Sequence, residues 1–211
     1  MDWETDAQRL GTKVARPGSP GRRPSRKPPA RVRAPVVRTG PGGGGRVVRD
    51  GAADPDAWLA AAYSDTTLVT RVGAVHADHA EPGTVVTSGV STSSSTEPGL
   101  IVEMYRQADL VDGPPLVTTG TGYGTALACH RLGAGMVTSV DVDPYLVEAA
   151  ADRLSSIGLR PETAVCDLTQ GPLPGEYDRI VSTVAVPRIP AAWLEALRPY
   201  GGWLPRSPGR G

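Results

Sequence analysis

The sequence predicts an α/β fold, a parallel sheet with helices on both faces. Residues 115–146 read strand, glycine loop, helix, strand, acid (PLVTT-GTGYG-TALACHRLGAG-MVTSV-DVDPYL). Apolar strands and amphipathic stretches then alternate with short connections as far as residue 197, the pattern of a helix-covered parallel sheet. Two acids, Asp141 and Asp167, each close an expected strand. In open parallel sheets the ligand crevice lies at that end of the strands.

The elements follow in chain order. Residues 16–49 carry ten Lys/Arg, seven prolines and four consecutive glycines, with no acid among them. Such a stretch cannot bury a core, so residues 1–50 are expected to form a disordered basic arm. One reading is an arm for nucleic acid or a membrane surface. No aromatic interleaves with the arginines, so base stacking is unsupported. The blander reading is a shifted frame here and again after Gly202, since both stretches have the Arg/Pro/Gly bias of GC-rich coding sequence read out of frame. Trp58 with Leu59, Ala61 and Ala62 reads as a short helix that packs on the domain, capped by Asp54 or Asp56. His76, Asp78 and His79 lie in an expected loop, as a substrate-loop or surface group rather than a metal set. Glu103 and Arg106, three apart, read as a solvated helix pair.

Leu116 and Val117 start the first strand of the α/β unit, and residues 123–132 the first helix. Residues 136–140 form the second strand. Leu146, Val147, Ala150 and Leu154 share one face of a helix over 144–157, with Pro144 in its first turn and Gly158 at its stop. Residues 163–166 and 178–184 are the third and fourth strands, and 189–197 a short helix. Trp203 and Leu204 begin a fifth strand that Pro205 and Pro208 stop.

The glycines Gly120, Gly122 and Gly124 let backbone approach a ligand with no Cβ in the way. Asp141 is placed to accept hydrogen bonds from two ribose hydroxyls, and Asp167 one from an adenine amino group. A dinucleotide fingerprint needs G-x-G-x-x-G, and Thr125 stands where its third glycine belongs. A Walker loop needs a lysine that is absent. The pattern left is that of class I methyltransferases, which use S-adenosylmethionine. The alternative is a tight strand-to-helix turn with no ligand.

Several segments together resemble the protein-L-isoaspartate O-methyltransferase family: GTGYGTALACHRLG, VTSVDVDPYLVEAAADRL, CDLTQGPLPGEYDRIVSTVAVPRIP and WLEALRPYGG. Upstream, AAYSDTTL is similar to the family's aromatic-x-acid run, and TSSSTEPGLIVEM to its Ser/Thr cluster before a proline and a helix. The resemblance covers residues 54–204 and implies a Rossmann-like class I methyltransferase fold. It is nearest to the branch encoded beside ATP-grasp peptide maturases, on the strength of the insert between Leu68 and Ser91. It implies a carboxyl O-methyltransferase acting on aspartyl or isoaspartyl groups of a protein or ribosomal peptide. Gly120, Gly122 and Gly124, with Thr118 and Thr121 in the same loop, would hold the methionine and ribose part of S-adenosylmethionine. Asp141 would bind the ribose and Val142 pack on the adenine, with Asp167 and Leu168 at the adenine edge. Ser94, Ser95 and Thr96 would hold the acceptor carboxylate.

Three departures stand against that pattern. Thr118 replaces an acid usual two residues before the first glycine. The loop is two residues shorter than the usual G-T-G-S-G-Y-G-T. Strands six and seven have no counterpart, so the expected fold is truncated at its C-terminal strands, with 205–211 as a tail. A non-catalytic, degenerate binding domain or pseudogene product is the competing expectation.

Charge and composition narrow the partners. The net charge is zero, but residues 1–50 hold twelve Lys/Arg against four Asp/Glu, a net of +8, which leaves −8 on the remainder. An acidic catalytic part argues against a nucleic-acid substrate. Cys129 and Cys166 read as small buried residues of a reducing compartment. No apolar run approaches the ~20 residues of a membrane span, and no signal peptide opens the chain. No membrane partner and a cytoplasmic location are therefore expected.

Overall fold

Residues 38–39, 46–48, 54–110 and 116–199 are described by the computed structural model. Its N-terminal part contains β1 (Arg38–Thr39), β2 (Arg46–Val47), α1 (Pro55–Ala62), β3 (Leu68–Val72), β4 (Val75–His76), β5 (Val85–Val86), β6 (Ser91–Ser95) and α2 (Pro98–Gln107). The α/β unit follows as β7 (Leu116–Thr119), α3 (Tyr123–Leu132), β8 (Val137–Asp141), α4 (Pro144–Ser156), β9 (Glu162–Val165), β10 (Arg179–Val181) and α5 (Ala191–Ala196).

The last four strands pair in parallel in the order β10-β7-β8-β9. Alternation along β8 sorts the core into two layers. Val137 and Val140 are three apart, so they point to opposite faces. Val137 packs with Ala128 and Cys129 of α3 and with Val181, joined by Met104, Tyr105 and Ala108 from the α2 side. Val140 packs with Leu168, Leu173, Tyr177, and Trp193 and Ala196 of α5. Trp193 is fixed in that layer because its indole N–H donates to the Leu168 carbonyl at 2.8 Å. Buried Thr125 ties α3 to β8 through its hydroxyl, 2.8 Å from Ser139 Oγ.

α4 begins and ends where its chemistry dictates. Asp143 accepts the Tyr145 N–H at 3.0 Å as N-cap, Pro144 occupies the first turn, and Gly158 takes φ +80° beyond the last turn. Leu146, Ala150 and Leu154, spaced by four, are its buried stripe. For α1 the cap is Asp54, whose carboxylate accepts the Ala57 N–H, and no α1 residue is fully buried.

The structure departs from the sequence expectations in three places. The insert between Leu68 and Ser91, expected as a loop around the histidines, instead contributes β3 and β4 to an antiparallel sheet with β6, in the order β4-β3-β6 and with an irregular register between β3 and β6. The expected disorder of residues 1–50 does not extend to β1 and β2, which pair antiparallel with each other, β2 pairing in turn with β5. The fourth parallel strand is only three residues long; beyond Val181 the Ser182 hydroxyl donates to the Val184 carbonyl, where the chain bends. Next to β10, Leu197 makes a parallel bridge with Tyr177, so an additional strand position opens directly after α5. Trp203, Leu204 and the tail 205–211 lie outside the described residues.

Candidate active site

The strand order reverses its direction of growth between β7 and β10, which makes their carboxyl ends the switch point where open sheets bind ligands. A small open cleft lies there. Ser94, Ser95 and Thr96, from the β6–α2 junction, form one wall; Gly120, Thr121 and Tyr123 form the second, and Thr183 closes it from the end of β10. Residues 24 or more apart in sequence thus meet as a row of hydroxyls facing a glycine turn.

The three glycines divide their work. Gly120 takes φ +114°, and a Cβ on it would meet only Thr183 Oγ1, at 3.5 Å, across the cleft. Gly122, at φ +98°, is pressed against α4, where a Cβ would lie 3.2 Å from the Ala150 Cβ. Gly124 also lines the cleft, but a Cβ there would come within 3.1 Å of the Tyr105 hydroxyl, which donates to the Gly124 carbonyl at 2.8 Å. Only Gly120 is therefore spared a side chain by the cleft alone; the other two let α3 sit tightly on α4 and α2. Gly122 is the N-cap of α3 and provides no side-chain acceptor, so the first-turn amides of α3 keep the unmet donor character of a helix N-terminus.

The aromatic-x-acid run acquires a physical role. Glu97 makes no side-chain cap for α2. Asp65 supplies it from 34 residues away, accepting the Gly99 N–H at 2.7 Å. A Cβ on Gly99 would lie 3.0 Å from both carboxylate oxygens, so any larger residue would push the Asp65 carboxylate back by a few tenths of an ångström. This bond fixes the start of α2, and with it the hydroxyl wall. Tyr123 stays protonated at neutral pH, its pKa pushed up to about 12, first by burial and then by the charge of Asp65.

Asp141 sits at the end of β8, one strand beyond Thr119. Its Oδ1 accepts the Asp143 N–H at 3.0 Å, which sets the rotation of the carboxylate. Burial raises its pKa, an effect the Asp143 N–H opposes. Val142 follows with 64% of its surface exposed, an apolar platform beside that acid. Asp167 is exposed at the end of β9 and accepts both the N–H and the hydroxyl of Thr169, which lower its pKa. The side chain of Leu168 does not frame a ligand: it is buried in the α5 layer of the core, and its carbonyl accepts the Trp193 indole N–H there. Thr118 pairs in the ladder with Ser139 and Val181, two residues before Gly120. Asp141, Val142 and Asp167 lie along the strand ends beside the hydroxyl cleft rather than in its lining. Sequence reasoning missed Thr183; the signal was its place near the end of the expected strand 178–184, next to the switch point.

The histidine segment is tied to α4, with His76 buried, Asp78 half-buried and His79 exposed. Asp78 Oδ2 accepts the Tyr145 hydroxyl at 2.7 Å and the Arg153 guanidinium, both on α4. His76 and His79 pack on the Tyr145 ring, with centroids 4.9 and 4.5 Å away. His76 Nδ1 accepts the Asp78 N–H at 3.1 Å, so the neutral ring carries its proton on Nε2. Burial lowers the His76 pKa below 6.5; Asp78 opposes this, while His79, Arg153 and Arg71 reinforce it. The unfolded chain thus takes up this proton first, and the stability contributed by neutral His76 is complete above pH 6.5 and falls as pH drops towards the folded-state pKa. Thermal melts should show a level Tm above pH 7 and a decline from pH 6.5 to 5.5. His76→Asn should flatten that decline; an unchanged slope would remove His76 as its source.

A model of the protein-L-isoaspartate(D-aspartate) O-methyltransferase family matches residues 90–205 of this chain. The chain is 34% identical over 109 residues to the protein-L-isoaspartate O-methyltransferase of Ignicoccus hospitalis, covering 49% of this chain and 52% of that protein. With the enzyme of the same name from Xanthobacter autotrophicus it shares 37% over 111 residues, 51% of this chain and 49% of that one. It also shares 39% over 84 residues with the ribosomal protein L11 methyltransferase of Pelobacter propionicus, 36% of this chain and 27% of that protein. The chain therefore spans about half the length of its isoaspartate relatives, and less of the third. A solved protein-L-isoaspartate O-methyltransferase superposes with a TM-score of 0.57 at 18% identity, over 93% of this chain and 52% of the other, which shows a common fold. With more than half of its residues matched by the family model and that fold around its glycine turn, the chain belongs to the protein-L-isoaspartate(D-aspartate) O-methyltransferase family.

Proposed function

We propose that this chain is an S-adenosylmethionine-dependent carboxyl O-methyltransferase that acts on aspartyl or isoaspartyl groups of a protein or peptide, with residues 54–204 as its catalytic unit. The observation that carries this reading is one cleft in which Ser94, Ser95 and Thr96 face Gly120 and Thr121, with Asp141 at the neighbouring strand end. The residues fit the cofactor. Uncapped amides of α3 and the open turn at Gly120, flanked by Thr118, Thr121, Gly122 and Gly124, suit its amino-acid arm. Asp141 suits its ribose, exposed Val142 its adenine face, and exposed Asp167 the adenine edge.

When bound, the cofactor supplies a methyl group on a sulfonium, an electrophile that a carboxylate can attack without a base. An acceptor carboxylate is ionised at pH 7, so the chain has no proton to remove. Its work is alignment by the three hydroxyls and exclusion of water from the nucleophile. That division of labour requires no Ser-His-Asp set.

The finer assignment is the branch that modifies a ribosomal peptide beside an ATP-grasp maturase. It is supported by the insert between Leu68 and Ser91, whose strands β3 and β4 share a sheet with β6, the strand that carries Ser94 and Ser95 of the hydroxyl wall. The proposed setting is the cytoplasm, consistent with free thiols at Cys129 and Cys166. No helix among the described residues is long and apolar enough to cross a membrane.

Titration calorimetry with S-adenosylhomocysteine tests the proposal. Saturable binding is expected, and its absence would leave the degenerate, non-catalytic reading. Methyl transfer to an isoaspartyl peptide or to a maturase-type precursor then selects the substrate.

A further inference from the structure

We infer that Arg71 is a positioning residue for the ribose site, acting from the insert through Asp143 on Asp141. This rests on the proposed function and adds a part of the chain outside the cleft. Arg71 lies on β3, 72 residues from Asp143, and its Nη1 is 2.6 Å from Asp143 Oδ2. Its Nε donates to the Gly73 carbonyl at 3.2 Å, so the guanidinium is held by its own hairpin. Asp143 divides its groups three ways: Oδ2 takes Arg71, Oδ1 caps α4 through the Tyr145 N–H, and its own N–H holds Asp141 Oδ1.

One residue thus links the insert, the start of α4 and the acid proposed to grip the ribose. The turn from Asp141 to Asp143 has no side-chain packing of its own at Val142, which is mostly exposed. Its conformation depends on the polar contacts at either end. Arg71 holds the Asp143 carboxylate, and with it the backbone N–H that orients the Asp141 carboxylate. The second contact of the insert, Asp78 on Tyr145 and Arg153, grips the same helix two and ten residues beyond Asp143. The insert therefore holds the β8–α4 corner at two points and pre-sets the ribose acid before any ligand arrives.

A double-mutant cycle in the affinity for S-adenosylhomocysteine tests this. Asp143→Asn keeps a good N-cap and the backbone N–H while removing the charge pair. Arg71→Ala and Asp143→Asn should each weaken binding roughly three- to tenfold, within the range by which residues that touch no ligand modulate coupling. The double variant should be no weaker than the worse single one. The Arg71→Ala penalty should shrink at high salt, because both side chains are partly exposed, 36% and 23%; a role in packing alone would leave it unchanged. If Arg71→Ala does not fold, the cycle is run with Arg71→Lys, expected to retain part of the affinity. Additive effects, or wild-type affinity in Arg71→Ala, overturn the inference alone. A wild-type chain that fails to bind overturns the inference and the proposed function together.

Discussion

Asp141→Ala is expected to weaken S-adenosylhomocysteine binding by about a hundredfold or more, with the far-ultraviolet circular dichroism unchanged. Two hydroxyls donating to one carboxylate form two charge-assisted hydrogen bonds, each worth about 1.5–3 kcal/mol. Losing ~3 kcal/mol costs slightly more than two factors of ten in affinity, at 1.4 kcal/mol per factor. The fold loses little, because the strand pairing of residue 141 with Val165 and the bond from Cys166 N–H to its carbonyl are made by the backbone. Asp141→Asn separates charge from shape: its amide oxygen can still accept the Asp143 N–H, so it should bind between wild type and alanine. Asp167→Ala should cost far less, since that carboxylate is exposed and already accepts two bonds from Thr169. Affinity should also fall on acidification earlier than for an ordinary aspartate, because burial raises the Asp141 pKa. Wild-type affinity in Asp141→Ala would show that the ribose site lies elsewhere.

The α/β half was readable because its signals are local. β7, α3, β8 and α4 are bounded by glycine, proline and an N-cap aspartate that each act within a few residues, and the stripe Leu146, Ala150, Leu154 repeats at helical spacing. The antiparallel insert was not readable for the opposite reason. β6 is Ser-Thr-Ser-Ser-Ser, with no apolar alternation, and it is a strand because β3 pairs with it across an irregular register, Thr70 donating to Ser93 Oγ. In the candidate site, the residue types and their order were legible, but their division of labour was not. No spacing rule distinguishes Gly120, open to the cleft, from Gly124, which exists to admit Tyr105. Leu168 has the sequence position of a ligand contact, yet its side chain is consumed by the core under Trp193. Asp65 on Gly99, Arg71 on Asp143 and Asp78 on Arg153 span 34, 72 and 75 residues, distances at which no local pattern carries information.

The last of those contacts predicts the largest loss of stability. Asp78→Ala should lower the unfolding free energy by about 3 kcal/mol in a urea titration, the low end for removing one partner of a buried ion pair. Arg153 and Asp78 are only 17% and 11% exposed, so the guanidinium left behind has little water to replace the lost carboxylate. The Tyr145 hydroxyl loses its acceptor in the same step. One contribution runs the other way: Asp78 Oδ1 is buried with no partner, as is His76 Nε2, and alanine removes the first of these unmet groups. That relief concerns one lone pair whose twin oxygen already has two donors, so the stranded charge of Arg153 outweighs it. Asp78→Asn keeps an acceptor for Tyr145 and should cost about half as much, within the ~1.5–3 kcal/mol of a hydrogen bond to a charged group. The damage should be localised, with amide exchange accelerated in residues 68–95 and the α/β half protected as before, because only the clamp on α4 is released. A variant within ~0.5 kcal/mol of wild type, the usual range for surface substitutions, would mean that packing of His76 and His79 on Tyr145, rather than the ion pair, holds the insert in place.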